Sequence, residues 1–107
     1  MRIAIASLGK SEDSEVSERA GRAPYYLVFS EEKKLIETVS NPFAVGGGGA
    51  GFGVTKMLYD KAVSIIVAGK FGPNMESAMK EKGMKHFEAS GKVSEVLDEV
   101  FRGISEA

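Results

Sequence analysis

The chain has 107 residues, of which 43% are hydrophobic and 27% charged, a size and composition that suit one globular domain over residues 1–107 rather than a disordered tail. It has no cysteine, which excludes disulfides, C-x-x-C redox chemistry, thiolate metal sites and cysteine nucleophiles. Its formal net charge of -1 gives no electrostatic pull toward nucleic acid, and no apolar run approaches the roughly 20 residues that cross a bilayer.

Arg2 to Ser7, with the apolar stretch Ile3 to Ala6, suits a first strand buried on both faces. The apolar stretch is too short for the core of a secretory signal and leads into no A-x-A cleavage site, so the cytoplasm is the expected location. Leu8 to Ala23 holds Lys10, Glu12, Asp13, Glu15, Glu18, Arg19 and Arg22 with little periodicity, which predicts a long polar loop. Tyr25 to Phe29 and Leu35 to Val39 are rich in aromatic and β-branched residues and flank a polar turn around Glu31 to Lys33, so they predict an antiparallel hairpin.

After Asn41-Pro42 and a glycine run, Val54, Met57, Leu58 and Ala62 form the apolar stripe of a helix. The strand Ser64 to Ala68 follows. Gly72-Pro73 opens a second helix, with Met75, Ala78 and Met79 facing inward and Gly83 ending it. A short strand near Met84 to Ala89 precedes the last helix, where Val93, Val96, Leu97, Val100, Phe101 and Ile104 repeat at the spacing of one buried face. The order βββαβαβα, closed by right-handed crossovers, predicts a mixed α/β sheet covered by helices on both faces.

Gly46 to Gly53 lies where a strand feeds a helix, so main-chain N-H groups there can approach an anion at a helix start. The alternative reading of such a run is a connector or a close strand-helix crossing. The spacing satisfies G-x-G-x-x-G, but the position where a dinucleotide loop needs an acid reads Ala68-Gly69-Lys70. A phosphate loop is excluded as well, because Gly53-Val54-Thr55-Lys56 has the Walker residues in the wrong order.

Ligands of open α/β sheets sit beyond the carboxyl ends of the parallel strands. That edge gathers Lys10 after the first strand, Asn41 after the third, Lys70 after the fourth, and Arg19 and Arg22 before the second. With Gly47, Gly48, Gly49 and Gly51 these form a candidate anion site, although a solvated surface charge is the ordinary fate of any one lysine or arginine.

Other constellations carry less. His86 is the only histidine, Met57, Met75, Met79 and Met84 suit core packing, and Glu12, Asp13, Glu15 and Glu18 lack the spacing of a calcium loop. No residue set supplies a metal site from side chains. No G-x-S-x-G elbow or nucleophile-histidine pair is evident, so no enzymatic activity is expected.

Val16-Ser17-Glu18-Arg19-Ala20-Gly21-Arg22-Ala23-Pro24-Tyr25-Tyr26 resembles the V-S-x-x-x-G-R-A-P-x-F segment of the dinitrogenase iron-molybdenum cofactor biosynthesis family. Asn41-Pro42, Gly49-Ala50-Gly51, Gly72-Pro73-Asn74 and Gly83-Met84-Lys85 resemble its later landmarks, so the likeness spans nearly the whole chain. The resemblance implies a ribonuclease H-like fold with sheet order 3-2-1-4-5 and an antiparallel second strand. It also implies a protein that binds or carries iron-molybdenum cofactor, its precursors or another metal-sulfur cluster, with a protein partner in delivery.

Members often carry His-Phe before Gly-Arg-Ala-Pro, where this chain has Arg19-Ala20. Noncovalent capture of an anionic cluster is the leading expectation here. A small interaction or regulatory domain that has lost cluster binding is the second, and an enzyme acting on a small anion the third.

Overall fold

The structure, a computed structural model, describes residues 1–46 and 48–106. Five strands, β1 (Arg2–Ser7), β2 (Tyr25–Phe29), β3 (Leu35–Ser40), β4 (Val63–Ala68) and β5 (Lys85–Glu88), form one sheet of order β3-β2-β1-β4-β5. Helices α1 (Ala50–Asp60), α2 (Pro73–Glu81) and α3 (Val93–Glu106) complete the chain. β2 is antiparallel to β1 and β3, while β1, β4 and β5 run parallel. The architecture is the one the resemblance implies.

Alternation along the strands divides the core. Ala4, Ala6, Tyr26, Val28, Ile66 and Ala68 face α1 and α2, where they meet Val54, Leu58, Met75 and Met79. Ile3, Ile5, Leu27, Phe29, Ile65 and Val67 face α3 and its stripe of Val93, Val96, Leu97 and Val100. The three alanines leave room for two helices side by side on the first face. Those helices approach closely at Gly51, where an added Cβ would lie 2.9 Å from the main-chain nitrogen of Met75.

One local expectation changes. Ala62 is not on the α1 stripe: the helix stops at Asp60, and Ala62 is exposed with φ of 66° in the turn that leads into β4. The polar segment after β1 is a long loop, and main-chain bonds hold it to the sheet. The amide of Ser17 donates to Ala6 O at 2.8 Å, that of Gly69 to Ser17 O at 2.9 Å, and that of Ala20 to Lys70 O at 3.0 Å. Main-chain bonds thus lay residues 17–20 across the ends of β1 and β4, an arrangement that side-chain periodicity does not encode. Gly69 permits the crossing, since a Cβ there would come 2.7 Å from Glu18 Cα.

Candidate functional site

All three helices begin at one edge of the sheet, the end where β1, β3, β4 and β5 finish. The first N-H groups of any helix have no partner within it and carry partial positive charge. At α3 the segment after β1 supplies partners: Val93 N-H donates to Ser14 O at 2.9 Å and Ser94 N-H to Glu12 O at 3.0 Å. No side chain caps α1 or α2.

The starts of α1 and α2 instead line one cavity of about 710 Å³, with Gly48, Gly49, Ala50 and Gly51 on one wall and Gly72, Pro73, Asn74 and Met75 on another. Segment 18–22 forms the third wall and brings Arg19 and Arg22, while Lys70 and Phe71 come from the turn after β4. The volume falls within the roughly 300 to 1,000 Å³ of small-molecule sites. Glycine is required at the α1 start, where Gly49 adopts φ of 87° as the residue before the helix.

The walls are fixed from behind. Asn41 is buried, and its Nδ2 donates to Gly21 O at 3.1 Å and to Ala23 O at 2.8 Å while its Oδ1 accepts from Phe43 N-H at 2.9 Å. Arg22 Nη1 donates to Phe43 O at 2.9 Å, tying the cavity wall to the segment that leads into the glycine run. The Phe43 ring packs where a Cβ on Gly53 would sit. On the opposite side, Phe71 N-H donates to Glu88 Oε2 at 3.2 Å, and the Phe71 ring lies 4.7 Å from that of His86.

Of the residues singled out in the sequence, Arg19, Arg22, Gly48, Gly49, Gly51 and Lys70 line this cavity together. Lys10 does not; its ammonium sits 5.6 Å over the Tyr25 ring. Asn41 does not line it either, because its amide is occupied in holding the main chain. Gly47 lies outside the described residues. Glu18, Phe71, Asn74 and Met75 also line the cavity, beyond the site residues that the sequence points to. The Gly72-Pro73 helix start was a signal for the last two, since it places a second helix terminus at the same edge.

The cavity's described lining offers cations, main-chain N-H groups and one carboxylate, with no imidazole. His86 stands behind the wall with Nε2 3.5 Å from Glu76 Oε2. Among the described residues no group of three or more His, Cys, Asp or Glu is placed to hold a metal ion, and no helix is long and apolar enough to cross a membrane. Such a lining can hold an anion through charge-assisted hydrogen bonds.

The profile of the family described as "Dinitrogenase iron-molybdenum cofactor" matches residues 1–103. The structure of a NifB-like protein of the DUF35 family from Thermotoga is 34% identical, covers 95% of this chain and 88% of its own, and superposes with a TM-score of 0.82. The apo form of the orange protein from Desulfovibrio gigas is 26% identical, with 95% and 88% covered and a TM-score of 0.89. No match was found among the curated proteins. Profile, identity and fold agree over nearly the whole length, and the chain belongs to the dinitrogenase iron-molybdenum cofactor family.

Proposed function

We propose that this protein is a non-catalytic carrier of anionic metal-sulfur clusters, iron-molybdenum cofactor or its precursors among them, held noncovalently in the cavity at the starts of α1 and α2. The observation that carries this reading is the lining: Arg19, Arg22, Lys70 and two helix starts without side-chain caps surround about 710 Å³. A cluster that brings its own sulfide ligands needs only N-H donors and positive charge. With no cysteine in the chain and His86 turned to Glu76, ligation by thiolate or imidazole does not suit this cavity. Family membership supports a role in cofactor handling.

Anaerobic titration with tetrathiomolybdate, followed by desalting, tests the reading. The protein retains the anion at low salt and releases it at high salt, and the visible bands stay unshifted because no ligand is exchanged. Arg19→Ala and Lys70→Ala each weaken retention about tenfold, the worth of one hydrogen bond to a charged group. A protein that emerges colourless under every condition overturns the proposal.

A carrier must also deliver. Val45 is 90% exposed beside the glycine run, and Leu8 and Phe52 are more than half exposed. Exposed apolar residues on a small protein suit contact with a receiving protein. A stable protein complex that forms equally well without any metal would favour instead the reading as an interaction domain.

A further inference from the structure

We infer that Glu18 determines which anions the cavity accepts, by repelling those of highest charge; this rests on the carrier reading above. Glu18 is the single carboxylate among the cavity's described lining residues, which also include Arg19, Arg22 and Lys70. Other acids near the walls are engaged behind them: Glu76 lies 3.5 Å from His86, and Glu88 accepts the Phe71 N-H at 3.2 Å. Among the described residues, Glu18 forms no ion pair or side-chain hydrogen bond.

Its main chain is fixed in place. The neighbouring Ser17 O and Ala20 N-H bond to Gly69 and Lys70, and the Glu18 Cα lies flush against Gly69. The main chain of residue 18 therefore stays on the cavity wall when a ligand arrives, and its side chain is exposed.

A cavity of cations and helix starts with no acid on its wall would favour any polyanion, and phosphorylated small molecules are abundant competitors. Coulomb repulsion from one carboxylate on the wall grows in proportion to ligand charge. Glu18 thus penalises pyrophosphate-like anions more than a dianion of similar bulk, which gives selectivity through an unfavourable contact with the wrong ligand. For a partly screened charge on the order of 7 Å away, the effect is about threefold in affinity per unit of ligand charge.

The test compares wild type, Glu18→Gln and Glu18→Asp by anaerobic equilibrium dialysis at one low ionic strength, with tetrathiomolybdate and inorganic pyrophosphate as probes. Glu18→Gln tightens tetrathiomolybdate about tenfold and pyrophosphate about thirtyfold, while Glu18→Asp stays near wild type and thermal midpoints are unchanged. No gain, or equal gains for both probes, overturns the inference. A loss of affinity overturns it as well, since it would make the carboxylate a ligand. Binding by wild type with no change in Glu18→Gln defeats this inference alone, whereas failure of both proteins to bind either anion defeats the carrier reading and this one with it.

Discussion

The two faces of the sheet solve the same problem differently. On the α3 face, large side chains from five-residue and six-residue strands meet one strongly amphipathic helix, and that helix's first amides are satisfied by carbonyls of residues 12 and 14. On the other face, alanines in the sheet admit two helices, their starts meet without side-chain caps, and a cavity remains between them. One face closes its helix terminus with the chain itself; the other leaves two termini at the wall of a cavity. The difference shows how a small domain can pack one half tightly and keep a cavity in the other.

The contrast is sharpest under substitution. Phe29→Ala, on the closed face and fully buried, removes about 4 kcal/mol of stability by leaving a cavity, which urea denaturation measures. Gly51→Val, on the open face, costs about 3 kcal/mol, because the added side chain meets the Met75 main chain rather than a movable side-chain tip. Equal tolerance of valine at Gly51 and at an exposed site would show that the two helices are not held at this distance.

Tyr26 tests the interior of the open face. Its hydroxyl is buried with no partner among the described residues, and burial pushes its pKa well above the ordinary 10.0. The folded state therefore keeps a proton that the unfolded chain releases above about pH 10. This stability is fully present below that pH and falls above it by up to about 1.4 kcal/mol per pH unit. Tyr26→Phe abolishes that share of the alkaline loss and adds about 1 kcal/mol at neutral pH, because an unsatisfied polar group leaves the core. Parallel alkaline stability curves for the two proteins would contradict the assignment.

The smallest effect on folding belongs to Gly48, where an added Cβ meets nothing within 4 Å. Gly48→Val shifts stability by less than about 0.5 kcal/mol yet lowers tetrathiomolybdate retention at least about tenfold by occupying the cavity. Unchanged retention would place the ligand elsewhere. Gly51 cannot serve for this test, because its substitution disturbs packing and cavity together.

The legibility of the candidate site followed the same division. Arg19, Arg22 and Lys70 could be placed at one edge from strand order alone, because the carboxyl ends of parallel strands share an edge. The same logic places Lys10 there, but leaving a strand at the right end does not fix where a flexible side chain settles, and this one lies over Tyr25. Asn41 has a residue type that serves both ligands and turns, and only the positions of Gly21 O, Ala23 O and Phe43 N-H show that its amide is occupied. Glu18 read as one acid in a polar stretch, since nothing local indicated that residues 17–20 would be stitched to the sheet.

The sequence by itself determined the element order, the two-sided strands, the three helices and the family, because these depend on local periodicity, helix-ending glycines and short motifs at fixed spacing. Tertiary structure alone decided that α1 and α2 start side by side, that Gly51 is a packing contact as well as a cavity wall, and that Glu18 shares a cavity lining with three cations. Each of these arises between residues far apart in the chain, where distance depends on how two helices pack on alanines and on main-chain hydrogen bonds that no side-chain pattern records.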